Sequence, residues 1–95
     1  MPKGYIISRV DIKDPVAYAK YAEAGTKAIA ANGGKPLVRG GRHEALEGQA
    51  RQRNVVLEFE SFDAARGYYF SAEYQAAKAF REGAAIMEIV LVEGV

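Results

Sequence analysis

The chain has 95 residues, a length typical of one folded domain. It is 49% apolar and 26% charged, which excludes a disordered chain, and its net charge of +1 is too small for a nucleic-acid-binding surface. We therefore expect residues 1–95 to form a single domain that has no nucleic-acid partner.

Cysteine is absent, so neither a disulfide nor a thiolate metal site can form. The residues before Tyr5 lack the apolar run of a signal peptide, and no apolar stretch approaches the ~20 residues of a membrane-spanning helix. These features predict a cytoplasmic protein without a membrane partner.

The first two elements are predicted to be a strand and a helix. Residues 5–10 are rich in β-branched and aromatic types, which is typical of a strand. Asp14 can cap the helix that follows, and Pro15 suits its first position. The segment Asn32-Gly33-Gly34 should end it. One stripe of this helix, expected to pack on a sheet, consists of Tyr18, Tyr21, Ala22, Gly25, Ala28 and Ile29.

A hairpin of two strands should follow this helix. Residues 37–46 predict a long strand bent at Gly40-Gly41, because a glycine pair permits positive φ and therefore a bulge. A polar turn over residues 48–52 leads into residues 53–60, whose alternating pattern predicts the next strand.

Two short helices and a last strand are expected in the remainder of the chain. Ser61 or Asp63 can cap a short helix that runs through Phe70, and Ser71 can cap a second one. Residues 85–92 are apolar and β-branched except for one glutamate, which predicts a strand.

The resulting order, β-α-β-β-α-β, is that of an α+β ferredoxin-like sandwich, in which the helices cover one face of an antiparallel sheet. Because monomers seldom expose a large apolar patch, an apolar second face predicts a homodimer in which the two sheets stack. The apolar side chains expected on that second face are Tyr5, Ile7, Val56, Ile86, Val90 and Val92.

A characteristic set of residues runs nearly the whole length of the chain. It comprises Lys3-Gly4-Tyr5, Asp14-Pro15 with Tyr18 and Tyr21, Gly33-Gly34, Arg39-Gly40-Gly41, Glu47-Gly48, Phe59, Tyr69 with Ser71 and Tyr74, Arg81, and Val92-Glu93-Gly94. On these residues the chain resembles the bacterial domain-of-unknown-function family 1330 of the dimeric α/β-barrel superfamily. The resemblance implies ferredoxin-like protomers whose sheets pair face to face, and no established activity. Superfamily relatives resemble haem-free oxygenases, isomerases and stress proteins, but one scaffold hosts unrelated chemistries.

Four residues are candidates for ligand binding. Arg39, beside the glycine pair, offers a guanidinium fork to a carboxylate-bearing ligand. The alternative is an arginine paired with an acid next to a bulge. Tyr21, Tyr69 and Tyr74 suit a cavity wall, because each ring supplies apolar area and a hydroxyl group. Core packing is the alternative for these tyrosines.

Two residues are candidates for catalytic proton transfer. Glu58 acts as a general acid or base if burial without a partner raises its pKa, whereas an ion pair with Arg9 is the structural alternative. His43 is the only histidine and therefore the only imidazole available near neutral pH, with a surface position as its alternative.

Neither a metal nor a cofactor is expected, because the sequence has no cluster of metal ligands, phosphate loop, nucleophile elbow or dinucleotide fingerprint. Three functions stay open. The first is a dimer that binds a small organic, carboxylate-bearing molecule between the helices and the sheet. The second is a cofactor-independent enzyme of oxygenase or isomerase type that uses Glu58 or His43 with Arg39. The third is a structural or regulatory dimer with no pocket.

Overall fold

Four strands and three helices make up residues 2–95, the part of the chain that the computed structural model describes. The strands form one antiparallel sheet in the order β2-β3-β1-β4, which confirms the predicted α+β ferredoxin-like fold. In chain order the elements are β1 (Gly4–Ile12), α1 (Pro15–Ala31), β2 (Lys35–Arg39), β3 (Arg53–Phe59), α2 (Phe62–Tyr69), α3 (Ala72–Phe80) and β4 (Ala85–Glu93).

Each helix begins at a residue whose side chain caps it. Asp14 accepts hydrogen bonds from two amides in the first turn of α1, at 3.1 and 3.2 Å. Ser61 and Ser71 accept from amides of α2 and α3, at 3.0 and 3.1 Å. The predicted starts are thus confirmed, and a cap of this kind stabilises a helix by ~1 kcal/mol. None of the helices within residues 2–95 is long and apolar enough to cross a membrane.

Strand β2 is shorter than expected. The prediction of a strand over residues 37–46 is wrong, because pairing with β3 ends at Arg39. Gly40, at φ 68°, turns the chain out of the sheet, and the exposed residues that follow have no apolar alternation to bury. The ladder is instead irregular between Pro36 and Val38, because proline has no amide to donate.

The core lies between the sheet and the helices. The main chains of β1 and α2 approach so closely that a Cβ on Gly4 would overlap the main chain of Ser61. Helix α1 packs mainly on α3 and leaves a cavity between its inner face and the sheet. The largest fully buried side chains are those of Tyr74, Phe59 and Val10.

The face of the sheet opposite the helices, called the outer face below, carries the predicted apolar side chains. Ile86, Val90 and Val92 of β4 and Val38 of β2 each remain between 41% and 54% exposed. Ile7 of β1 pairs with Val90 on the same face. Side chains of this kind lose their contact with water only if another surface covers them.

An ion-pair network lies at one end of the outer face. Arg51 donates to Asp11 and to Glu88, both at 2.8 Å, and Arg9 lies 3.8 Å from Glu88. The network fastens the segment between β2 and β3 onto the sheet. The Gln52 amide and the Arg51 guanidinium hold the pKa of Asp11 below its usual range, and Arg51 does the same for Glu88.

Acidification should weaken the fold through this network. Because the pKa values of Asp11 and Glu88 are lowered in the fold, their ion pairs stabilise the folded state at pH values above the ordinary carboxyl pKa. This stabilisation is lost as the pH falls through the lowered pKa values and the two carboxylates become protonated. Replacing Arg51 by Met should lower the urea midpoint at neutral pH and flatten its decline between about pH 7 and pH 3.

The control is Lys27→Met, which removes only an exposed pair within α1. It should change neither the midpoint nor the acid dependence, since exposed pairs contribute little. If the urea midpoint of the Arg51→Met protein declined with falling pH as that of the wild type does, the assigned role of the network would be contradicted.

Candidate functional site

A cavity of about 70 Å³ lies beneath α1. Its floor includes one row of residues across all four strands, because the strand registers place Arg39, Val55, Ser8 and Ile89 side by side on the helix-facing side. Its roof is aromatic, and the tyrosines that line it are Tyr18, Tyr21, Tyr68, Tyr69 and Tyr74.

Four of the predicted site residues line this cavity, namely Arg39, Tyr21, Tyr69 and Tyr74. They come from β2, α1, α2 and α3, so the fold brings together residues that are distant in the sequence. The proximity is a finding of the structure, whereas a role of these residues in ligand binding stays a prediction.

The two residues expected to transfer protons lie elsewhere. His43 is exposed in the segment that follows β2. Glu58 lies on the outer face, where it accepts a hydrogen bond from the Tyr5 hydroxyl at 3.0 Å. The predicted ion pair between Arg9 and Glu58 is wrong, because the β1–β3 register sets Arg9 opposite Asn54, about 13 Å along the strand from Glu58.

Two polar residues of the cavity were missed by the sequence reasoning. Arg53 is the first residue of β3 and faces the same side as Val55 and Leu57. Ser8 is only 4% exposed and lies on the helix-facing side of β1. Each interrupts an inward-facing apolar alternation, and this interruption is the signal that identifies such residues.

Arg39 and Arg53 bring two positive charges to the β2–β3 side of the cavity. Neither guanidinium forms an ion pair with a carboxylate of residues 2–95. The Nε atom of Arg53 is also buried without a hydrogen-bond partner. A buried donor of this kind is costly when unpaired, so this side of the cavity favours an anionic group.

Because Gly40 has no side chain, the Arg53 side chain can occupy the space beside it. A Cβ on this glycine would overlap the guanidinium of Arg53. Of the pair Gly40-Gly41, which was expected to form the bend, Gly40 alone has a positive φ. Its amide donates to the carbonyl of Asn54 at 2.8 Å, which holds the start of the turn against β3.

A buried tyrosine pair joins α1 to α3 at the roof. The hydroxyls of Tyr21 and Tyr74 share a hydrogen bond of 3.0 Å, and the Arg81 guanidinium lies 5.6 Å from the centre of the Tyr21 ring. Burial, together with the neighbouring Tyr74, raises the pKa of Tyr21, and burial likewise raises the pKa of Tyr68. Both phenols therefore stay neutral near pH 7, where they act as hydrogen-bonding groups rather than as bases.

The chemistry of the lining is that of hydrogen bonding and apolar contact. Histidine and carboxylate side chains are missing from the cavity as residues 2–95 form it, and no three such groups converge there as metal ligands. Its polar members are the two arginines, the tyrosines, Ser8 and Thr26.

Residues 3–95 match the model of a family described as a domain of unknown function, DUF1330. The chain belongs to this family. The resemblance found in the sequence is thus confirmed, and the match includes every residue of the cavity. No curated protein sequence matches the chain significantly.

Solved structures share the ferredoxin-like fold at low sequence identity. A Rhodopseudomonas palustris protein of unknown function is 18% identical with a TM-score of 0.76, covering 99% of this chain and 83% of that one. A dimeric ferredoxin-like protein of unknown function from Thermobifida fusca is 19% identical with a TM-score of 0.64, covering 99% and 92%. The cofactor-independent oxygenase SnoaB from Streptomyces nogalater is 13% identical with a TM-score of 0.61, covering 97% and 92%.

The fit between Gly40 and Arg53 is testable with a matched glycine. Gly40 and Gly48 have φ values of 68° and 73°, so Gly40→Ala and Gly48→Ala should each cost about 1–2 kcal/mol in the free energy of unfolding. Only at Gly40 would the new methyl group meet Arg53. We expect Gly40→Ala alone to shift the Nε–Hε NMR signal of Arg53, and an unshifted signal would contradict this placement.

Proposed function

We propose that this protein is a homodimer that binds a small organic carboxylate in the cavity beneath α1. The observation that carries the proposal is the pair Arg39 and Arg53, which face a tyrosine-lined cavity without a carboxylate partner. A bound carboxylate accepts two hydrogen bonds from a guanidinium, and it supplies the acceptor that the Arg53 Nε atom lacks.

The rest of the lining defines the remainder of the ligand. Neutral tyrosines and aliphatic side chains favour a hydrocarbon group over a second charge. Ser8 and Thr26 offer hydroxyls to a polar substituent. The cavity is smaller than the ~150 Å³ cavity that holds benzene in another protein, so as it stands it accepts a carboxylate and a short chain.

The apolar outer face supports the homodimer. If two copies stacked their sheets, they would cover Ile86, Val90 and Val92 and form a dimeric α/β barrel. The Thermobifida fusca protein of the same fold is described as dimeric. Because the helices lie on the other face of the sheet, each protomer of such a dimer would keep its own cavity.

Binding is a better account of the cavity than catalysis. The enzyme hypothesis relied on Glu58 or His43 as the acid or base, and neither lines the cavity. A fold that is shared with an oxygenase does not imply that this protein catalyses the same reaction. A dimer without any pocket is disfavoured by the cavity itself.

Carboxylate binding should depend on both arginines. Using butanoate and isothermal titration calorimetry, we expect Arg39→Gln and Arg53→Gln each to weaken binding at least tenfold, because a charge-assisted hydrogen bond contributes ~1.5–3 kcal/mol. Arg39→Lys should also weaken it, since lysine lacks the planar fork. Arg42→Gln, an exposed arginine outside the cavity, is the control.

Two outcomes would count against this assignment. Equal affinity of the wild-type protein for butanoate and for neutral 1-butanol would show that the arginines do not select an anion. An effect of Arg42→Gln as large as that of Arg53→Gln would show that only the overall charge matters.

Dimerisation should depend on the outer face. We expect light scattering to give a dimer at micromolar concentration and Val90→Asp to shift it towards the monomer, because a carboxylate buried in the interface loses its water. Val16→Asp, at an exposed valine in the first turn of α1, should leave the dimer intact. A wild-type monomer at that concentration would contradict the proposed assembly, which requires an interface of ~1,000 Å² or more.

A further inference from the structure

A second, larger space adjoins the cavity. It is a groove of about 270 Å³ beside the end of α2. Ile6, Tyr69 and Ile89 line both spaces, and beyond them the groove continues to Phe70 and Leu91. The side chain of Tyr69 therefore stands where the two spaces meet.

The two spaces form one bent path on the helix-facing side of the sheet, which first crosses the strands and then turns along β4. From Arg39 on β2 to Ile89 on β4 the row crosses three strand spacings, or about 14 Å. From Ile89 the groove follows β4 to Leu91, about 7 Å further. A ligand that follows this path would be long, narrow and flexible enough to bend at Ile89.

The chemistry changes along this path from a pair of guanidinium groups to a mostly apolar lining. At the β2–β3 end are the two guanidinium groups of Arg39 and Arg53. At the other end are the side chains of Phe70 and Leu91, and Phe70 is 60% exposed. Arg66 lies over the Phe70 ring at 4.8 Å and forms the rim of the groove.

We propose that the ligand is a chain-like carboxylate of the fatty-acid class, whose head group binds Arg39 and Arg53 and whose apolar tail passes Tyr69 into the groove. This inference rests on the proposed function and adds the class of ligand. The small cavity accommodates the head group and the first carbons, and the groove supplies the volume that the cavity lacks.

Tyr69 is suited to the position between the two spaces. Its ring is half-buried and lies 5.1 Å from the rings of both Phe70 and Tyr74. The three rings form a continuous aromatic wall from the cavity to the groove. An unbranched hydrocarbon chain gains contact along such a wall without needing a hydrogen-bond partner.

The test is a chain-length series measured by isothermal titration calorimetry with butanoate, hexanoate, octanoate and decanoate and the full-length protein. We expect affinity to rise about fourfold with each methylene up to decanoate, which is the gain for a buried methylene. Phe70→Ala should weaken decanoate binding about fivefold and leave butanoate binding unchanged. Phe80→Ala, at a phenylalanine that is 48% exposed and lines neither space, should change neither affinity.

A second variant tests the groove by filling it. Leu91 lines the groove and not the cavity, so Leu91→Trp should reduce the affinity for decanoate to that for hexanoate. The circular dichroism spectrum and urea midpoint check that the protein is folded. If Leu91→Trp does not fold, the comparison of Phe70→Ala with Phe80→Ala decides the question by itself.

The outcomes separate the two proposals. If wild-type affinity stops rising at hexanoate, or if Phe70→Ala binds decanoate as the wild type does, the tail assignment is overturned. The proposed function then stands, provided that Arg53→Gln still weakens binding of the short carboxylates. If no carboxylate of the series binds, both proposals fail.

Discussion

The position of Arg53 is the constraint on which the candidate site depends. Its side chain leaves the first residue of β3, occupies space that Gly40 keeps free, and places a buried Nε atom without an acceptor beside an apolar cavity. A buried hydrogen-bond donor normally has a partner, and leaving one unpaired costs about 1–3 kcal/mol. Arg39 is exposed at the edge of the same cavity, and because neither arginine is paired with a carboxylate of residues 2–95, a ligand carboxylate could contact both.

The cavity itself follows from the way in which α1 packs. This helix packs on α3, and Gly25 on its buried side lines the cavity, where a Cβ would meet nothing within 4 Å. The hydrogen bond between Tyr21 and Tyr74 links the same two helices above the sheet. The sheet thus has a ligand-sized space on one face and an uncovered apolar surface on the other. This separation would allow the proposed assembly and the proposed binding to use different faces of the same four strands.

The helices and most strands were predicted from local signals in the sequence. The candidate site depends on pairing between strands that are distant in the sequence, and no local pattern determines this pairing. The capping residues Asp14, Ser61 and Ser71 act within one turn, so they fixed the helix starts. The register between β1 and β3 is a pairing of distant segments that no local pattern determines, which is why Glu58 was assigned a wrong partner. Arg53 was missed for another reason, since the interruption that it makes in the apolar alternation of β3 was not interpreted as an inward-facing charge.

A crystal structure of the protein with bound 8-bromooctanoate would show where the carboxylate binds, and the anomalous signal of bromine would locate the tail. We expect carboxylate oxygens within hydrogen-bonding distance, about 3 Å, of the guanidinium groups of Arg39 and Arg53. A carboxylate bound elsewhere on the protein, or these two arginines paired with carboxylates of a second copy, would contradict the proposed site.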